Sequence, residues 1–287
     1  MRIPRIAPLL VVYLLLWPAA ASAEAAAIDL PTHEEIEDAV PEGKSLSGRE
    51  IYERFHEQRI ASGIQYQSVI SRDPSGAAQE SRFWVRWKDF RDENKEPVDG
   101  VIAKTVVKFL EPFDMRHTGV LVITNKGRDP DQFIYQPSAR RVRRVKLQGV
   151  GVGGTDFGYD DIAFNNIEAA DFVRLPDEEL EGAPVYVVES TLKPFIHTDY
   201  RTSTVWFEKE HYIPLHAVYR DEAEVPVKES RSHRSSIKEF DGTWVATEVT
   251  MQNLKEGTSS VQLVEKLEPN VELADRLFSL FRLHLNR

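Results

Sequence analysis

The residues best suited to chemistry crowd between Gly149 and Glu168. Gly149, Gly151 and Gly154 satisfy the spacing G-x-G-x-x-G. In a βαβ unit that spacing lets a dinucleotide pyrophosphate approach the backbone at a helix N-terminus. Here Thr155 to Asn165 allow one or two helical turns at most, and the neighbouring segments read as strands, so a flexible hinge is the better account. Asp156, Asp160, Asp161 and Glu168 could serve a metal or acid–base work. Their spacing lacks the alternating ligands and the sixth-position glycine of a calcium loop. The eight histidines, His33, His56, His117, His197, His211, His216, His233 and His284, form no H-x-x-x-H pair, so no zinc site is expected. There is no G-x-S-x-G elbow, and the absence of cysteine excludes a thiol nucleophile and any disulfide. The expectation is a protein without enzymatic activity, cofactor or metal.

A second cluster is cationic: Arg140, Arg141, Arg143 and Arg144, followed by Lys146. One reading is a solvated edge strand whose charges prevent edge-to-edge pairing. The other is a docking site for anionic headgroups or an acidic partner. The chain as a whole is acidic, with a formal net charge of −10, and this argues against a general nucleic-acid binder.

These residues sit in an exported chain. Arg2 and Arg5 precede an apolar run from Ile6 to Trp17, and Ala21-Ser22-Ala23 has the small residues of a signal peptidase site. The expected product is a soluble periplasmic protein cleaved after Ala23, with residues 24–45 an acidic, flexible lead-in and residues 46–287 a single domain. Loss of Arg2 and Arg5 shifts the net charge from −10 to −12.

The elements that must position the candidates are mostly strands. Ser47-x-x-Glu50 has the form of a capping box and predicts a helix ending at Gly63, with Ile51 and Phe55 on its apolar face. Phe83, Val85 and Trp87 alternate with polar neighbours, as do Val107 and Phe109; Phe133 with Tyr135 and Val185 with Val187 repeat the period of two. About a dozen short antiparallel strands with one covering helix predict a barrel or half-barrel. Glu181-Gly182, Asp241-Gly242 and Glu256-Gly257 mark turns, and Leu273 to Leu283 reads as a closing helix. The alternating apolar side chains are either plain core or the wall of a ligand cavity. One helix cannot easily fill a large curved sheet, which favours the cavity.

Three runs carry a resemblance: Gly119-Val-Leu-Val-Ile-Thr124, Gly127-Arg-Asp-Pro-Asp-Gln-Phe-Ile-Tyr135-Gln-Pro137 and Arg140-Arg-Val-Arg-Arg144. Together they resemble the signature of the LolA-like outer-membrane lipoprotein-sorting proteins, and in particular the branch associated with RND-type exporters. Gly154-Thr-Asp156-Phe157-Gly-Tyr159-Asp-Asp161 is similar to that branch's G-S-D-F-x-Y-x-D block, with threonine at 155 for serine. The resemblance implies a mainly β fold, an unclosed antiparallel β-barrel with helices as a lid over a hydrophobic cavity. It implies a monomeric carrier that shuttles the acyl chains of a lipid or lipoprotein between membranes, with an RND-type transporter as partner. In that reading Gly149, Gly151, Gly153 and Gly154 form the lid hinge, leading into Phe157 and Tyr159. An adaptor of a transporter complex, binding protein rather than lipid, is the alternative.

Overall fold

The computed structural model describes residues 45–57, 61–147, 150–162 and 167–285. They belong to one compact unit, Ala39–Arg287. Six strands come first: β1 (Ser62–Arg72), β2 (Ala78–Asp89), β3 (Val101–Glu111), β4 (Gly119–Asn125), β5 (Arg128–Gln136) and β6 (Arg141–Val145). The second series is β7 (Ala170–Leu180), β8 (Ala183–Leu192), β9 (Thr202–Glu208), β10 (Pro214–Arg220), β11 (Pro226–Arg231), β12 (Ile237–Phe240), β13 (Thr243–Ala246), β14 (Glu248–Asn253) and β15 (Thr258–Pro269). Helix α1 (Gly48–Glu57) precedes them, and the short α2 (Tyr159–Ile162) lies between the two series.

Thirteen strands form one sheet in the order β6-β5-β4-β3-β2-β1-β15-β14-β11-β10-β9-β8-β7. The chain therefore starts at the centre, zigzags to the β6 edge, crosses to the β7 edge, and returns until β15 pairs with β1. All its pairings are antiparallel, and β6 and β7 do not pair with each other, so the sheet is open. This is the expected mainly β, unclosed barrel. β12 and β13 form a separate hairpin outside the main sheet. The turn at Asp241-Gly242 has positive φ at both residues, 49° and 79°. That is the mirror-image turn whose twist suits a two-residue hairpin. Strand β11 is not legible in the sequence, because Pro226 and three charged residues mask its one buried apolar side chain, Val227.

Register assigns the two faces. Gln65 pairs with Val85, Val85 with Val107, Val107 with Val120 and Val120 with Ile134. Neighbours across a ladder share a face, so these define the inner face of the first half. In the second half Ser190, Ser203 and Tyr219 are paired in turn, as are Val188, Val205 and Ala217. Helix α1 lies on this inner face, with Ile51 fully buried against Val188, Val205, Phe207 and Ala217. Its capping box is formed: the Ser47 N–H donates to Glu50 Oε2 at 2.7 Å, and the Glu50 N–H to Ser47 Oγ at 3.2 Å. The helix stops earlier than expected. Gly63 is a strand residue, where a Cβ would come within 2.6 Å of the Trp87 ring. Its glycine serves close packing, not helix termination.

The outer face of the first half is also covered. Two 3₁₀ turns, Asp275–Phe278 and Leu280–Arg282, replace the expected closing helix. Leu273, Phe278 and Leu283 pack there on Val106 and Leu121. Lys108, buried beneath them, donates to the carbonyl of Leu283, and burial lowers its ammonium to about 8.

Candidate functional site

The described part of the segment joining the two sheet edges packs on the sheet. Leu147, Val152, Phe157 and Tyr159 are buried on the inner face of the first half, in one cluster with Phe83, Val85, Val107 and Phe109. Its backbone turns because Gly153 and Gly154 take positive φ, 63° and 80°. A Cβ on Gly151 would lie 1.7 Å from the carbonyl oxygen of Thr155, and one on Gly153 2.6 Å from the Phe109 ring. These glycines permit close packing, as in a plug, where a flexible hinge was expected. Gly149 lies outside the described residues.

Polar groups bolt the plug to the sheet. Asp156 accepts hydrogen bonds from Ser260 Oγ at 2.6 Å and from Thr258 Oγ1, while its own N–H donates to Ser260 Oγ at 2.9 Å. Asp161 accepts from the Gly158 N–H at 2.6 Å and faces Lys228 Nζ of β11 at 3.9 Å. Burial pushes the Asp161 carboxyl up from the ordinary carboxylate range, with Lys228 opposing the shift. This carboxylate serves as a bolt; Asp199 lies near enough to add to the upward push, and among the described residues no group of three metal-ligating side chains occurs.

Between plug and helix lies a cavity of about 470 Å³, within the range of small-molecule pockets. Tyr52 and Phe55 of α1 line one side, Phe157 of the plug another, and Val85, Trp87, Val205, Val249 and Met251 the sheet. The wall is mainly apolar, but Asn125, Arg128, Asp129, Asp161 and Arg231 also line it, together with several amides and hydroxyls. Gln262 Nε2 donates to Gln67 Oε1 at 3.2 Å, and the Ser190 and Ser203 hydroxyls lie 2.7 Å apart. Burial raises the Tyr52 phenol to about 12, against the pull of its bonds to those two serines. These glutamine, serine and tyrosine groups are uncharged near pH 7, so this part of the space suits the apolar portion of a ligand, while Arg128, Asp129 and Arg231 place ionic side chains elsewhere on the wall. At the rim, the start of β5 meets the β8–β9 loop: the His197 N–H donates to Asp129 Oδ1 at 3.1 Å, and His197 Nδ1 lies 2.8 Å from Asp129 Oδ2.

The side chains expected to face a ligand divide three ways. Val85 and Trp87 line the cavity. Phe83, Val107 and Phe109 share its face but lie under the plug. Phe133 and Tyr135 are on the outer face, against the C-terminal turns, and Val185 and Val187 on the outer face of the second half, with Leu215, Trp206 and Ile237. The main cavity residues that sequence reading overlooked are Tyr52, Phe55, Val205, Val249 and Met251. The helix pair carried a readable signal, its apolar face; the others did not differ from plain strand core. Arg140, Arg141, Arg143 and Arg144 sit in the β5–β6 turn and on the open edge strand β6, all exposed. Arg143 donates to Gln136 and Arg144 to Asp131.

A family model described as "-like: Uncharacterized protein" matches residues 102–284, more than half of the chain. Solved structures share the architecture. An outer membrane lipoprotein-sorting protein domain from Vibrio parahaemolyticus superposes with a TM-score of 0.72 at 23% identity, covering 83% of this chain and 98% of its own. The chain belongs to the matched family, and its fold is LolA-like. A DUF1329 family protein from Desulfovibrio piger gives 0.75 at 22% identity, covering 82% of this chain and 97% of its own. A LolA superfamily protein from Nitrosomonas europaea gives 0.64 at 21% identity, with 82% and 98% covered. A comparison with curated proteins gives no match.

Proposed function

We propose that this protein is a periplasmic carrier that holds the acyl chain of a lipid or lipoprotein in the cavity between α1 and the glycine plug. It shuttles that chain between membranes, as a monomer and without an enzymatic step, exchanging cargo with an RND-type exporter. The observation that carries the reading is the cavity itself: two covers on one sheet leave a mainly apolar space that neither fills. Each methylene taken from water stabilises the complex by about 0.8 kcal/mol, so an acyl chain has a strong reason to enter. The LolA-like fold and the lipoprotein-sorting description of the Vibrio relative support the same cargo class.

Val249 tests it. Its side chain is half-buried and on the cavity wall, so Val249→Trp adds bulk to the empty space. The variant is expected to keep its thermal midpoint within a few degrees and to bind a fluorescent fatty acid at least about tenfold more weakly than the parent. Equal binding by the two proteins would move the ligand elsewhere.

A further inference from the structure

We infer that one corner of the molecule, where two exposed phenylalanines stand among arginines, docks on an anionic lipid bilayer. The inference goes beyond the cavity reading and needs no cargo.

Register places the corner. Lys108 pairs with Gly119, Gly119 with Tyr135 and Tyr135 with Val142. The β3–β4 and β5–β6 turns therefore leave the same end of four adjacent strands, within about 15 Å at the usual strand spacing. The C-terminal turns reach that end too: Lys108 holds the Leu283 carbonyl, and the His284 ring lies 6.1 Å from that of Tyr135.

At this corner Phe113 is 89% exposed and Phe281 75%, flanked by Leu110 and Leu280. Neither phenylalanine is a frayed end. The Phe113 turn is closed by the Met115 N–H to Pro112 O at 3.1 Å and the Arg116 N–H to Phe113 O at 3.3 Å. The Phe281 turn is closed by the Arg282 N–H to Ser279 O at 3.0 Å. Two large apolar side chains carried into solvent on hydrogen-bonded turns, Phe281 touching only the exposed His284 ring among the described aromatic side chains, fit a surface that accepts them. Charge selects which surface. Arg116, Arg140, Arg141 and Arg143 are exposed here and outnumber the exposed acids Glu111 and Asp114, in a chain of net charge −10. Arginines attract anionic headgroups, and the aromatic tips favour the apolar boundary below them, which an acidic protein or polyanion does not offer.

The absence of cysteine makes a clean test possible. Phe113→Cys and Phe281→Cys, each labelled with an environment-sensitive dye, are mixed with vesicles of phosphatidylglycerol and phosphatidylcholine, or of phosphatidylcholine alone. The control is Val98→Cys, 52% exposed in the β2–β3 loop at the opposite end of the same strands. Residues 1–44 are common to all the proteins, so any contribution from them cancels. Blue-shifted emission is expected at 113 and 281 with the anionic vesicles, weakening as salt is raised, and none at 98. In flotation, joint replacement of Phe113 and Phe281 by serine should lower the bound fraction by about tenfold or more. Replacing Arg140, Arg141 and Arg143 by glutamine should abolish the preference for phosphatidylglycerol. No binding at low salt, an equal shift at 98, or binding unchanged in both sets of variants would overturn the inference.

Discussion

The inner face of the sheet has two covers of opposite kinds. Over the second half lies α1, a regular helix whose apolar stripe of Ile51, Tyr52 and Phe55 does the packing and whose ion pair, Arg49 with Glu53, is exposed. Over the first half lies the plug, nearly devoid of regular structure, fixed by left-handed glycines and buried polar bonds. The helix is a local solution, written in residues three and four apart. The plug is a tertiary solution whose residues make sense only against Phe109, Thr258, Ser260 and Lys228. The cavity lies between the two covers, which touch where Arg49 of α1 bonds Glu168 at the end of the connecting segment.

The contrast can be broken most severely at Gly151. Gly151→Ala drives a methyl into the Thr155 carbonyl, so the plug must unseat. Chemical denaturation should report a loss of at least about 3 kcal/mol, more than for an ordinary core truncation of the same size. A near-neutral result would mean that the glycine segment is a loose lid after all. On the other cover, Ile51→Ala removes the only fully buried apolar residue of α1 and should cost about 2–4 kcal/mol, with acyl binding weakened as the helix drifts. Ser47→Ala breaks only the cap and should cost about 1 kcal/mol.

Asp161 sharpens the comparison through pH, because α1 has no counterpart to a buried carboxylate. Its folded-state pKa is raised above the unfolded value by burial. The charged form is thus penalised in the fold above the raised value, and the penalty disappears as the pH falls through it to the ordinary range. Asp161→Asn retains an acceptor for the Gly158 N–H. Its stability relative to the parent should be highest near pH 7 and should decline toward pH 4. A pH-independent difference would show that Lys228 compensates the charge fully.

What the sequence discloses follows the same division. The α1 cap, the strand alternation, the mainly β class and the Asp-Gly hairpin turn depend on near neighbours, and they are legible; that the barrel stays open came only with the LolA-like resemblance. Inside and outside are not. In β5, Phe133, Ile134 and Tyr135 are consecutive and apolar, and it is Ile134 that faces in, because the C-terminal turns make the outer face dry as well. With both faces covered, a period of two says that a strand exists without saying which way it points. Gly63 misleads for a related reason: the demand for glycine comes from Trp87 across the ladder, not from the end of a helix.

The central claim is that the space between plug and helix holds an acyl chain, and extraction tests it most directly. The protein, purified without detergent, is extracted with organic solvent and its lipid content measured by mass spectrometry, alongside Val249→Trp. Stoichiometric acyl lipid in the parent and a marked depletion in the variant are the predicted result. A lipid-free parent that also fails to take up a fluorescent fatty acid would contradict the account.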